Sequence, residues 1–183
     1  MEDKVVELEA ISSILGSSVE GSQYLTFGID EEEYAISILK VKEIIEMKKI
    51  TKIPNLPEYI KGIINLRGNI IHIIDIREKF GMPIRAYDKF NVIIIVEAAG
   101  KTLGIIVDQV RDVLSIDKDS VQPPIDFEGN IDNVYVEGMA KVGERLVVVV
   151  DIDKMLSNWI LKTDSICWNY INIFMMFCQD IVM

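Results

Sequence analysis

Ile63-Ile-Asn-Leu-Arg-Gly-Asn-Ile-Ile-His-Ile-Ile-Asp-Ile76 decides the fold class, because two β-branched apolar runs are interrupted there by Arg67-Gly68-Asn69. β-branched side chains pack well on a pleated surface and lose rotamer freedom in a helix. A glycine between the runs supplies the backbone freedom of a tight turn. The stretch predicts strand, turn, strand. Upstream, Gln23 to Ile29 alternates with period two, Asp30 to Glu33 makes an acidic turn, and Tyr34 to Ile38 returns as a strand. Leu39 to Ile45 places Val41, Ile44 and Ile45 at helical spacing and predicts a short helix. Ile50 and Ile53 continue as an extended piece, and Pro54-Asn-Leu-Pro57 prevents any helix from following.

Downstream the same logic repeats. Arg77 to Phe80, closed by Gly81, predicts one helical turn. Val92 to Val96 is a continuous apolar run, as in a strand buried on both faces, and Ala98-Ala-Gly-Lys101 turns it into Leu103 to Val107. Val134 to Val142 and Leu146 to Val150 form a hairpin across Gly143-Glu144, and Asp151 is placed to cap a short helix through Leu156. Short strands with closely spaced turns and little helix predict an all-β sandwich or small barrels. Neither a βαβ rhythm nor a repeat of solenoid length is legible.

Composition narrows the function. The chain has 183 residues, half of them hydrophobic, enough for one domain or two small sub-domains sharing a core. Nineteen Lys and Arg stand against 29 Asp and Glu, a net charge of −10 that disfavours nucleic-acid binding. The only cysteines, Cys167 and Cys178, lie near the C-terminal end, so no disulfide framework is expected and a reducing cytosol fits. Residues 1–21 read as a flexible acidic leader without the pattern of a secretory signal. Residues 158–183 read as an atypical apolar extension. Asn169, Asn172, Gln179 and Asp180 interrupt it, and direct membrane insertion is not expected.

The search for chemistry returns little. His72 is the single histidine, with Asp75 three residues on. A base–nucleophile arrangement would also need a serine at an elbow, and Gly-x-Ser-x-Gly is absent. His72 therefore reads as a surface or part-buried strand histidine. One histidine and two tail cysteines do not make a zinc site, and Asp30 to Glu33 lacks the spacing and central glycine of a calcium loop. Gly100-Lys101-Thr102 is a hairpin turn without the upstream glycine of a phosphate loop. No catalytic residue, metal or cofactor is expected. The candidates that remain are apolar or mixed residues near turns: Val41, Glu43, Ile44, Tyr59, Arg67 and Phe127.

Several stretches in register resemble one family. Asp30-Glu-Glu-Glu-Tyr-Ala-Ile-Ser-Ile-Leu-Lys-Val-Lys-Glu-Ile-Ile45 is similar to the opening of the CheW family of bacterial chemotaxis coupling proteins. Ile53-Pro-Asn-Leu-Pro-Glu-Tyr-Ile-Lys-Gly-Ile-Ile-Asn-Leu-Arg-Gly68 resembles its most characteristic stretch. Ile70 to Gly81, Leu103 to Ser115 and Leu146 to Leu156 follow in order, so the resemblance spans residues 22–157. It implies two intertwined five-stranded SH3-like β-barrels with a few short helices. It also implies a cytoplasmic, non-catalytic adaptor joining chemoreceptor tips to the histidine kinase CheA in membrane-associated arrays. Carried over by position, the receptor-facing groove would include Val41, Glu43, Gly62, Arg67 and Val113, with Glu43 and Arg67 as its central pair. Gln122, Asp126 and Phe127 would make a contact to the kinase or between array units. The main kinase contact would be edge to edge with the regulatory domain of CheA. The family commonly has proline where His72 stands, and residues beyond Ser157 have no counterpart in the resemblance. The alternatives are a CheW-like module in another two-component pathway, a piece of a larger fusion, a nucleic-acid-binding small barrel, and a hydrolase built on His72.

Overall fold

The computed structural model describes residues 23–123 and 131–157. The leader, the C-terminal extension, Asp126 and Phe127 lie outside the described residues. Ten strands are described: β1 (Gln23–Ile29), β2 (Glu32–Ser37), β3 (Val41–Glu46), β4 (Ile60–Leu66), β5 (Asn69–Asp75), β6 (Val92–Ala98), β7 (Lys101–Val107), β8 (Gln109–Ser115), β9 (Val136–Val142) and β10 (Arg145–Val150). They form two five-stranded sheets, ordered β8-β1-β2-β10-β9 and β3-β6-β7-β5-β4. The second sheet is one continuous segment inserted between β2 and β8 of the first, which is the intertwining. The chain leaves the first sheet through a 3₁₀ turn at Ile38–Lys40 and re-enters at Asp108, the single residue between β7 and β8.

Alternation along the strands sorts the apolar residues into three cores. In β6, Ile93 and Ile95 face a core belonging to the second sheet, with Ile64, Leu66, Ile71, Ile73 and Ile106. Val92, Ile94 and Val96 face a core shared with Leu25, Phe27, Tyr34 and Ile36 of the first sheet. In β10, Val147 and Val149 join Tyr24, Ala35 and Ala140 in the first sheet's own core, while Val148 and Val150 join the shared one. Each sheet thus curls over a private core, and the two are held back to back by the shared one. Fully burying an aliphatic side chain contributes about 1.5–3 kcal/mol, so the shared core is the main bond between the sheets. Arg77 adds a polar tie: it pairs with Asp108, and with Asp30 at 3.6 Å in the β1–β2 turn.

Ladder pairing does not by itself close either sheet into a ring. Each is brought towards closure by one isolated bridge between its outer edges. Thr51, beyond β3, exchanges two 2.9 Å bonds with Ile63 of β4; Gln122, beyond β8, exchanges two 2.8 Å bonds with Met139 of β9. A glycine makes each approach possible. A Cβ at Gly62 would stand 2.1 Å from the Thr51 carbonyl oxygen, and one at Gly138 2.6 Å from that of Gln122.

These correspondences extend further. Tyr59, Gly62 and Asp75 are spaced as Tyr135, Gly138 and Asp151 are. The Asp75 N–H donates to the Tyr59 carbonyl at 2.8 Å, and the Asp151 N–H to that of Tyr135 at 2.9 Å. Each aspartate then accepts from the third backbone N–H of a following helix: Asp75 from Glu78 (3.2 Å) and Asp151 from Lys154 (3.0 Å). The two hairpin-plus-helix units are the same motif built twice. Lys79 lies between the equivalent tyrosines, 5.0 Å from the Tyr59 ring and 5.4 Å from that of Tyr135.

One expectation is corrected. Leu39 to Ile45 is not a helix. Only Ile38–Lys40 makes a 3₁₀ turn, and Val41–Glu46 is β3, paired with β6. The register shifts between Val41 and Glu43, so a bulge adds one residue and returns Val41 and Ile44 to the same core face. A bulged strand and a helix both place apolar residues three apart, which is why periodicity misled. The late hairpin also starts two residues later than expected, after a 3₁₀ turn at Asn133–Tyr135.

Candidate functional site

Glu43 and Arg67 meet. Arg67 sits at the tip of the β4–β5 hairpin with a left-handed backbone (φ 51°), followed by Gly68 at φ 88°. The Gly68 N–H donates to the Asn65 side chain at 2.8 Å and steadies the turn. From this tip the guanidinium spans the curled sheet to Glu43 on the opposite edge, with nitrogen–oxygen distances of 3.0 and 3.4 Å. The fork is two-pronged but open: the Arg67 side chain is 78 % exposed and that of Glu43 25 %. Such a pair can exchange its mutual bonds for bonds to polar groups of a docking partner.

The other expected groove residues are placed differently. Val41 is buried in the shared core, and Val113 of β8 is half-buried against it. They approach that core from the edge strands of two different sheets, so they mark the junction between the sheets. Gly62 is buried beneath the Thr51 backbone with φ 136°. Gln122 holds the edge of the first sheet through its backbone, and its side chain is exposed.

A second charged cluster went unnoticed in the sequence. Arg145, at the start of β10, donates through Nε to Glu33 at 3.0 Å and through its terminal nitrogens to Asp112 at 2.8 and 3.0 Å; a terminal nitrogen also meets Glu33. The Asp112 backbone N–H donates to the Thr26 hydroxyl at 3.2 Å. The bonds from Arg145 hold the Asp112 carboxyl below its usual range against the opposing effect of burial. A sequence signal existed. The repetition of Tyr59-Ile-Lys-Gly62 and Asp75-Ile76 by Tyr135-Val-Glu-Gly138 and Asp151-Ile152 makes the late hairpin the counterpart of the one that carries Arg67.

Asp75 is committed as a helix cap and also accepts from the Tyr87 hydroxyl at 2.6 Å. Burial, and then the charge of Lys101, hold the His72 imidazole below its ordinary 6.5. The folded state therefore prefers neutral His72. The associated stability is fully present above pH 6.5 and is lost as pH falls from there through the lower folded value. Because the chain has one histidine, a single imidazole resonance should titrate with its midpoint below 6.5. A midpoint at or above 6.5 would contradict the burial described. Among the described residues, no group of three or more His, Cys, Asp or Glu is arranged to hold a metal ion.

Comparison with known proteins gives a consistent result. Residues 23–158 match the family model of the CheW-like domain. The chain is 40 % identical over 151 residues to the chemotaxis protein CheW of Klebsiella aerogenes, covering 82 % of this chain and 90 % of that protein. It is 33 % identical over 140 residues to chemotaxis protein CheW of Treponema pallidum, covering 74 % and 82 %. The crystal structure of the scaffolding protein TtCheW from Thermoanaerobacter tengcongensis superposes with a TM-score of 0.69 at 39 % identity, covering 76 % of this chain and 90 % of that one.

Proposed function

Because this chain belongs to the CheW-like domain family, we propose that it joins the cytoplasmic tips of chemoreceptors to the histidine kinase CheA, gripping the receptor at the junction between its two sheets. It is a chemotaxis coupling adaptor and scaffold without catalytic activity of its own. The observation that carries the receptor-facing assignment is the Glu43–Arg67 fork. It is an exposed acid–arginine pair that spans the edges of one curled sheet. Val41 and Val113 supply the apolar floor at the junction, and Gly62 permits the close backbone approach that brings the fork together.

Residues 22–157 form the coupling domain in this reading. Gln122, with Asp126 and Phe127, supplies a separate contact to the kinase or to neighbouring array units, and the regulatory domain of CheA docks edge to edge. Among the described residues no helix is long and apolar enough to cross a membrane. In this reading attachment to arrays runs through the receptor. The test is reconstitution. The purified chain should bind a soluble receptor signalling fragment and CheA separately, and the three together should show kinase output different from that of CheA alone. Failure to bind either partner would reject the proposal.

A further inference from the structure

We propose that Arg145 is a positioning residue for the second wall of the receptor groove, acting through Asp112 to set the place of Val113. This inference rests on the receptor-facing reading of the junction. Its starting point is the equivalence of the two sheets. The outer strands β3 and β8 each carry a bulge, between Val41 and Glu43 in one and opposite Thr26 in the other. An acid stands at each bulge: Glu43 on β3 and Asp112 on β8. In both sheets that acid is held by an arginine from the hairpin at the far edge, Arg67 from β4–β5 and Arg145 from β9–β10. The same fastening thus occurs twice, with different surroundings.

The difference indicates the role. Arg67 has one acid partner and lies open to a ligand. Arg145 is engaged by Asp112 and by Glu33, which is only 6 % exposed, and Thr26 adds a hydroxyl to the Asp112 backbone. Four of its five N–H donors are engaged by the protein's own groups and its side chain is 37 % exposed against 78 % for Arg67, so it is suited to holding a shape. What it holds is the β8 bulge. Beyond it, Val113 pairs with Leu25 and packs on the shared core; before it, Val110 pairs with Phe27 and does the same. A bulge lets both valines face inward although two residues separate them on β8 and one separates their partners on β1. If the bulge slipped by one residue, alternation would turn Val113 away from the junction. Without Arg145, Asp112 loses its hydrogen-bonded cation and keeps only the more distant influence of Arg111, which also lies 3.8 Å from Glu33.

The test is a double-mutant cycle on the full chain, with affinities for the receptor signalling fragment and for the CheA regulatory domain measured side by side. Arg145→Ala should weaken receptor binding roughly tenfold. It should leave CheA binding within about twofold, the scatter expected of a site it does not touch. Val113→Ala should weaken receptor binding in the parent but add little in the Arg145→Ala background, because the valine is already misplaced there. Asp112→Asn, which leaves the Glu33 contacts intact, should reproduce the effect in part and serves as the second variant if Arg145→Ala does not fold. Additive losses from Arg145→Ala and Val113→Ala would overturn the inference. So would equal loss of receptor and CheA binding in both Arg145→Ala and Asp112→Asn. If Arg67→Ala weakens receptor binding while the Arg145 and Asp112 variants do not, this inference alone fails. If Arg67→Ala is also silent, the receptor-facing reading fails with it.

Discussion

Gly62→Ala is expected to cost the fold about 3–5 kcal/mol, because it adds a strained backbone to a direct steric conflict. Gly62 sits at φ 136°, a region that side-chain-bearing residues rarely adopt, and the new Cβ would stand 2.1 Å from the Thr51 carbonyl oxygen. That oxygen cannot simply yield. It accepts the Ile63 N–H at 2.9 Å, half of the bridge that draws the second sheet's outer edges together. At about 2–4 °C per kcal/mol for a domain of this size, the melting temperature should fall by roughly 10 °C. Receptor binding would fall with it, as a consequence of lost structure. Gly68→Ala is the control: its φ is also positive, at 88°, but nothing lies within 4 Å of an added Cβ, and its cost should be only about 1 kcal/mol. A Gly62→Ala chain that melts normally yet fails to bind receptor would make Gly62 a contact residue instead.

Arg67→Ala and Glu43→Ala should behave in the opposite way, with binding lost and the fold kept. Exposed ion pairs contribute about 0–1 kcal/mol to stability, so the melting temperature should move by no more than a few degrees. A charge-assisted bond to a partner contributes about 1.5–3 kcal/mol, so affinity for the receptor fragment should fall roughly ten- to a hundredfold. Arg67→Lys should restore little, because an ammonium cannot present two parallel donors to one carboxylate. Calorimetric titration alongside thermal melts separates the outcomes. A melting loss that matches the binding loss would make the pair a structural fastener like Arg145–Asp112.

Much of this was legible in residue order. The β-branched runs around Arg67-Gly68, the uniform apolarity of Val92 to Val96 and the capping residue Asp151 all stand in the structure as read. The segment Leu39 to Ile45 was misread for a physical reason: a bulge replaces period two by period three locally, and that resembles a helix turn. Asp112 and Arg145 were passed over because each looks like an ordinary surface charge within its own strand.

Local chemistry was thus enough for most of the strands, the turn positions and the all-β class, because alternation and turn propensity act between near neighbours, whereas the pairing of Glu43 with Arg67 came from the family resemblance. Tertiary structure decided the rest. Which face of each strand meets the private or the shared core, how Gly62 and Gly138 let the outer edges approach, and which arginine holds which acid all depend on contacts far apart in the chain. Asp112 and Arg145 are brought together only when two separate hairpins curl the same sheet, and no local pattern encodes that meeting.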